Sequence, residues 1–419
     1  MPAISRHIAA FFVMGALAAC GGGGGGGGND NGNTPRPDTS QRPPPQTQQP
    51  PPQTSNHFDL GTPSTRAAAD TALRALRGAG QPLGNINNAS NLGQTVSCDL
   101  LTGVGCFTPL AQINLNTLPV AAADVKAGAA WDAGWTGKGV KLGVVDDFMH
   151  VSGNSPVPHG ESTSAVVRQI APEVSYMRQH IDLGITGTSL TDDITTLDNR
   201  MAGAHAALEA SDHHIVSNSF GLDRPSGGGV PWATIIAHQL ARPGFRKIAD
   251  PDYTGYYDDA MLFVFSAGNG ATRCTGGMEN CRPPAAALLE LRKTNSDAGE
   301  RLIYVGSLSD ASRSLADADK QLADYSFPPG RNLRNDYIVA HDDIWTQGDG
   351  RGTSFSAPRV AGAAAVVRHK FPNLDGAGLK QVLLQTADDL GATGVDDVFG
   401  HGALNLPSAL SPIGRVRIR

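Results

Sequence analysis

The stretch Gly352-Thr353-Ser354-Phe355-Ser356-Ala357-Pro358 constrains this chain more than any other. A glycine followed by two small hydroxyl residues marks a tight turn feeding a helix, with Thr353 or Ser354 expected to cap its first turn. Pro358 suits a position near a helix start, where its missing N–H matters little. Ala361, Gly362, Ala363, Ala364 and Ala365 follow, so the helix carries little side-chain bulk and fits close burial. A serine at such a terminus has backbone N–H groups and the positive end of the helix dipole beside its hydroxyl. Those are the surroundings that an attacking oxygen and a developing oxyanion need. An ordinary capped helix is the bland alternative, so the rest of the chain must supply the partners.

From about Val120 short apolar runs alternate with helical stretches. The runs are Val140 to Val145, Ile215 to Phe220, Met261 to Ala267 and Leu302 to Val305. Each is β-rich and bounded by Gly, Ser or Asp, as buried parallel strands are. With helical stretches such as Ala202 to Ala210 between them, the pattern predicts an α/β fold, a mostly parallel sheet flanked by helices. Asp146 ends the first run, at the carboxyl edge where sites of such folds gather. His159 opens a helix expected to reach Val167. Taken with Ser354, the set comprises a nucleophile, a general base and a carboxylate to fix the base's tautomer. Asn269, between Gly268 and Gly270 at a strand end, can aim an amide N–H at an oxyanion. Alone it reads as a plain Asn-Gly turn.

At these segments the chain resembles the subtilisin-like serine peptidases, the subtilase family. The nucleophile motif is matched by Gly352-Thr353-Ser354 through Ser356-Ala357-Pro358 to Val360-Ala361-Gly362. Val144-Val145-Asp146 matches the aspartate strand and His159-Gly160 the histidine motif. Ala267-Gly268-Asn269 matches the oxyanion segment, and Asn218-Ser219-Phe220-Gly221 the strand that lines the substrate. The likeness runs from about Ala121 to Leu410 and closes with Phe399-Gly400-His401-Gly402-Ala403-Leu404-Asn405. It implies peptide-bond hydrolysis through an acyl-enzyme. Ser354 would attack, His159 move the proton, Asp146 orient the imidazole, and Asn269 with the Ser354 N–H bind the oxyanion. A protein or peptide substrate would lie extended along Ser219, Phe220 and Gly221 by strand addition. The alternative function class is a surface-binding module on the same fold with an idle triad.

Several positions depart from the family pattern. Asp147-Phe148 stands where Ser or Thr followed by Gly is usual, Glu161-Ser162 follows His159-Gly160, and Arg359 follows Pro358. His159 also comes soon after Asp146, which implies a shortened surface loop.

The N-terminus reads as an address. Arg6 and His7 precede an apolar run from Ile8 to Ala16, too short to span a bilayer, and Leu17-Ala18-Ala19-Cys20 follows. Residues 1–19 resemble a bacterial lipoprotein signal peptide, with Cys20 as the lipid attachment. Gly21 carries no acidic retention signal, so the outer membrane or cell surface is the expected destination. Residues 20–56, rich in Gly and then Pro, form a tether with a span of roughly 30–35 Å. Residues 57–119 form an extension with one helical stretch, Thr65 to Leu76, and too few periodic apolar stretches to build an inhibitory propeptide. The peptidase domain is expected over residues 120–411, followed by a tail at 412–419.

Cysteine count agrees with export. Beside Cys20 there are four, in two close pairs, which predicts the short-loop disulfides Cys98–Cys106 and Cys274–Cys281. The formal net charge of −6 and the lack of a basic block exclude a nucleic-acid surface. No cofactor or metal is expected. Asp250, Asp252, Asp258 and Asp259 offer calcium ligands, but their spacing fits no loop motif. Gly227-Gly228-Gly229 lacks the Lys-Ser/Thr of a phosphate cradle. His213-His214 reads as a surface pair. No transmembrane helix or barrel-like tail is seen after Leu410, so a self-transporting passenger is not expected.

Overall fold

The computed structural model describes residues 121–412, apart from 123, 151–157, 183–188, 222–229, 254–260, 275–276, 310, 313–314 and 343–350. The expected signal peptide, tether and extension (1–119) and the tail beyond Pro412, with Cys20, Cys98, Cys106, the stretch Thr65 to Leu76, Gly227–Gly229, Asp258 and Asp259, lie outside the described residues.

Six parallel strands make one sheet in the order β2-β1-β3-β4-β5-β6. They are β1 (Lys141–Asp146), β2 (Ser175–His180), β3 (Ile215–Asn218), β4 (Leu262–Ser266), β5 (Leu302–Leu308) and β6 (Tyr337–His341). Residues alternate between two cores, as a period of two demands. Leu142, Val144, Ile215, Leu262, Val264, Ile303, Val305 and Ile338 face one; Val145, Val216, Phe263, Phe265, Tyr304, Tyr337 and Val339 face the other. Burial on both faces is why the interior strands read as unbroken apolar runs. The edge strand β2 escapes that rule. β2 mixes Ser, Arg, Gln and His into its six residues and was not expected from the pattern, nor was β6.

The helices that matter here are α1 (His159–Ile170), α2 (Leu190–Ala210), α3 (Trp232–Leu240), α4 (Pro243–Ala249), α5 (Pro283–Leu291), α6 (Thr353–Lys370) and α7 (Gly376–Gln385). α1, α6 and α7 cover one face of the sheet, while α2, α4 and α5 cover the other. α6 is buried from Thr353 to Val367 save for Ser354. Its small residues let it press on α1, where a Cβ on Gly362 would sit 3.0 Å from both Ile170 Cβ and the Val167 carbonyl. α2 begins twelve residues before the stretch foreseen for it. Ser189 caps it by accepting from the Asp192 N–H at 3.3 Å, and Asp192 and Asp193 lie at the positive end of its dipole.

Among the described residues, no helix is long and apolar enough to cross a membrane.

Candidate active site

β1 and β3 are neighbours, and β2 lies on the other side of β1, so the chain changes direction across the sheet between β1 and β3. Loops that leave the carboxyl ends of strands diverge at such a point and open a crevice. Asp146, the last residue of β1, is fully buried there. Its Oδ1 lies 2.7 Å from His159 Nδ1 and accepts the Asp147 N–H at 2.7 Å. Thr163 Oγ1 donates to its Oδ2 at 3.0 Å. Thr163 and His159 are four apart on α1, so both side chains meet the same carboxylate. The position was missed in the sequence, although this i, i+4 spacing was the signal for it. The pair leaves Nε2 as the free end of the His159 ring, whose side chain is 28% exposed.

Burial disfavours the imidazolium, but the charge and hydrogen bond of Asp146, with the charge of Asp147 added, outweigh it. The His159 pKa is raised above its ordinary 6.5.

Ser354 is the second residue of α6, so its N–H has no preceding turn to bond. Its Oγ donates to the Ser219 carbonyl at 2.9 Å, just beyond β3. The Phe355 and His159 rings lie 5.5 Å apart, which brings the start of α6 beside the Asp146–His159 pair. Neither Thr353 nor Ser354 caps the helix, contrary to expectation: Gly352 holds the cap position and has no side chain to offer. Gly352 has φ +145°, and a Cβ there would lie 2.9 Å from Asn269 Nδ2. Its N–H donates to Asp342 Oδ2 at 2.7 Å.

Thr353 has a different task. Its Oγ1 accepts the Gly268 N–H at 3.0 Å and donates to Asn269 Oδ1 at 2.9 Å, while its own N–H donates to that Oδ1 at 2.9 Å. With Oδ1 held from two directions, the Asn269 NH₂ is fixed beside the start of α6, on an exposed side chain. Ser219 and Phe220 are buried past the end of β3 and Gly221 is exposed, one rim of the same crevice.

The departures from the family pattern have physical accounts. Glu161 pairs with Arg178 of β2, whose guanidinium covers the Phe148 ring at 5.2 Å. A Cβ on Gly160 would meet that ring at 2.8 Å, which explains the glycine after His159. Arg359 is fully buried, donating to the Phe355 carbonyl at 2.8 Å and to Asp124 Oδ2 at 3.1 Å.

Asp147, His150 and His180 bring ligand atoms within 4.8 Å of one another, a carboxylate and two imidazoles that offer a divalent cation three donors. As they stand they form a bonded cluster. His150 Nδ1 is 2.9 Å from Asp147 Oδ2, the Met149 and His150 N–H groups donate to Asp147 Oδ1, and the Phe148 N–H donates to His180 Nδ1. Asp250 is engaged with Arg246 and Asn295, and Asp252 also accepts from Asn295.

His213 is not the surface residue the sequence suggested. It is buried, with Nδ1 3.0 Å from the Leu208 carbonyl, and burial pushes its pKa down to about 4. His214 Nδ1 accepts the Lys141 N–H at 3.1 Å. Cys274 and Cys281 form the foreseen disulfide.

A model of the Subtilase family matches residues 164–402, a span that begins inside α1, after Asp146 and His159. An extracellular serine protease of Serratia marcescens is 42% identical over 361 residues, covering 68% of this chain and 33% of that protein. The neisserial autotransporter lipoprotein NalP of Neisseria meningitidis is 26% identical over 379 residues, covering 67% and 34%. Subtilisin DY of Bacillus licheniformis is 26% identical over 303 residues, covering 70% and 99%. This chain thus spans about a third of the length of the first two. The crystal structure of MycP1 from the ESX-1 type VII secretion system is 16% identical, covers 71% of this chain and 86% of that one, and gives a TM-score of 0.50, a likeness of fold. With more than half of its length matched, the chain belongs to the subtilase family, the subtilisin-like serine peptidases.

Proposed function

We infer that this chain is a serine endopeptidase that works through an acyl-enzyme, with Asp146, His159 and Ser354 as its triad. The observation that carries the reading is the 2.7 Å contact between the buried Asp146 carboxylate and His159 Nδ1, which leaves Nε2 as the base. Rotation about the Ser354 Cα–Cβ bond takes the hydroxyl proton from the Ser219 carbonyl to that nitrogen. Oγ then attacks the substrate carbonyl carbon, and the carbonyl electron pair moves onto oxygen, facing the Asn269 NH₂ and the Ser354 N–H. The imidazolium returns the proton to the leaving amine as the peptide bond breaks. Water, deprotonated by the same nitrogen, hydrolyses the ester and restores Ser354.

Labelling by a fluorophosphonate tests whether the hydroxyl is activated. Wild-type protein should take the label and cleave casein, and Ser354→Ala and His159→Ala should do neither. A folded wild-type chain that takes no label favours the binding module.

Attachment to a membrane through Cys20, with residues 20–56 as the tether, goes with this reading. The names of an autotransporter lipoprotein and an extracellular protease among the relatives support export. Substrates would then be proteins of the same surface. Cys20→Ser should leave the membrane fraction while hydrolysing a soluble peptide as before; wild type recovered wholly from the medium would count against the anchor.

A further inference from the structure

Two glycines bound the space beside the serine. Gly221 lies two residues beyond Ser219, whose carbonyl holds the Ser354 hydroxyl, and Gly268 immediately precedes Asn269. Neither presents a side chain to the gap between them. The guanidinium of Arg282 fills that role. A Cβ on Gly221 would strike its Nη2, and a Cβ on Gly268 would strike its Nη1. One planar cation therefore touches both walls of the slot with different ends.

Arg282 is held firmly. It is 4% exposed, follows Cys281 of the disulfide, and stands at the N-terminal boundary of α5. Its N–H donates to the Met278 carbonyl at 2.8 Å. Phe220, Gly221 and Tyr304 line one cavity with it. Tyr304 is buried there, and its hydroxyl has no hydrogen-bond partner among the described residues. Asp198 also borders this cavity, but its two oxygens accept the Phe245 and Gly244 N–H groups at 2.9 and 3.3 Å. The slot thus ends in a buried cation with an unused phenol beside it.

A substrate strand laid along Ser219 to Gly221, with its scissile carbonyl oxygen at Asn269, must send the side chain of that residue between Gly221 and Gly268. We propose that Arg282 makes this enzyme cleave after acidic residues, binding the side-chain carboxylate of Asp or Glu in the slot between Gly221 and Gly268. The inference rests on the endopeptidase reading above. A guanidinium carries five N–H donors, so a bond within the protein and a two-point bond to a carboxylate are compatible. Burial strengthens such a pair, because little water screens it. A charge-assisted bond exceeds its neutral counterpart enough to give about a tenfold preference or more.

The test uses the full chain and fluorogenic peptides that differ only in the residue donating the scissile carbonyl: Glu, Gln, Asp, Asn, Leu, Ala or Lys. Wild type should prefer Glu over Gln and Asp over Asn in kcat/KM by about tenfold or more. Arg282→Lys should keep the preference in weaker form, and Arg282→Glu should move it to Lys. Equal or faster cleavage after Gln, Leu or Ala overturns the assignment, as does an acidic preference that persists in Arg282→Glu. If Arg282→Glu does not fold, the wild-type comparison decides alone. Label uptake without an acidic preference removes this inference only. A chain that neither takes label nor cleaves any peptide removes the endopeptidase reading, and this inference with it.

Discussion

The end of β1 and the start of α6 bring chemistry to one crevice, but they are held by different means. At β1 the working groups are charges and their direct partners: a buried carboxylate saturated by His159, Thr163 and the Asp147 N–H. At α6 the working groups are neutral and are held by hydrogen bonds between backbone N–H groups and side chains. Thr353 fixes Asn269 and the Gly268 N–H, and the Gly352 N–H is anchored on Asp342. The first region sets a protonation state; the second sets a position. Damage to the two should therefore look different, in pH dependence for one and in turnover alone for the other.

The sharpest way to break this contrast is Asp146→Asn. An amide in place of the carboxylate accepts less well at His159 Nδ1 and favours the wrong tautomer, so turnover at neutral pH should fall on the order of 10⁴-fold. The acid limb of the rate profile should also move down, because Asp146 is the main group that raises the His159 pKa. Steady-state rates across pH would show both. An unchanged acid limb would mean that Asp146 only positions the ring.

Asn269→Ala comes next. Loss of one oxyanion donor should lower kcat about 10²- to 10³-fold, the range known from bacterial subtilisin, with KM and the acid limb in place. A loss equal to that of Asp146→Asn, or any shift of the pH profile, would erase the distinction between the two regions.

The residues proposed for the chemistry could be read from the sequence, whereas those that hold them could not. Asp146, His159, Asn269 and Ser354 sit in short local patterns. Thr353 could be seen only as a cap, because the groups it serves are far away in the chain: its bond to Gly268 spans 85 positions. No local pattern singles out Arg282, since its contact with two glycines exists only once β3, β4 and α5 are assembled. The fold divides in the same way. Interior strands buried on both faces announce themselves, while β2 carries exposed and half-buried polar residues at the edge. The first half of α2 is rich in Thr and Asp and gains its helix from the Ser189 cap and from packing, which local propensity does not report.

The smallest effect should come from Asp147→Asn, and it bears most directly on the electrostatic character of the β1 region. Asp147 has no bond to His159; its oxygens accept from Met149, His150 and the His150 ring. Burial raises its own pKa, but the backbone and His150 bonds prevail and hold it below the ordinary 3.8, so it is ionised where His159 titrates. That charge adds to the raised pKa of His159. The base must be neutral to act, so activity rises with pH through that pKa. Removing the charge lowers it and moves the acid limb to lower pH, with an unchanged plateau. The variant should therefore outperform wild type on the acid side and match it above. The linked effect on the fold has the opposite sense. A raised folded-state pKa stabilises the protein fully below the unfolded value of 6.5 and less as pH climbs through the folded one. The Tm deficit of the variant should accordingly be larger on the acid side than at high pH, where His159 is neutral in both states and only the bonds of Asp147 itself are lost. Rate profiles and melting curves on the same two proteins would decide it, and an acid limb that stays put would show that only the direct partner of His159 sets its protonation.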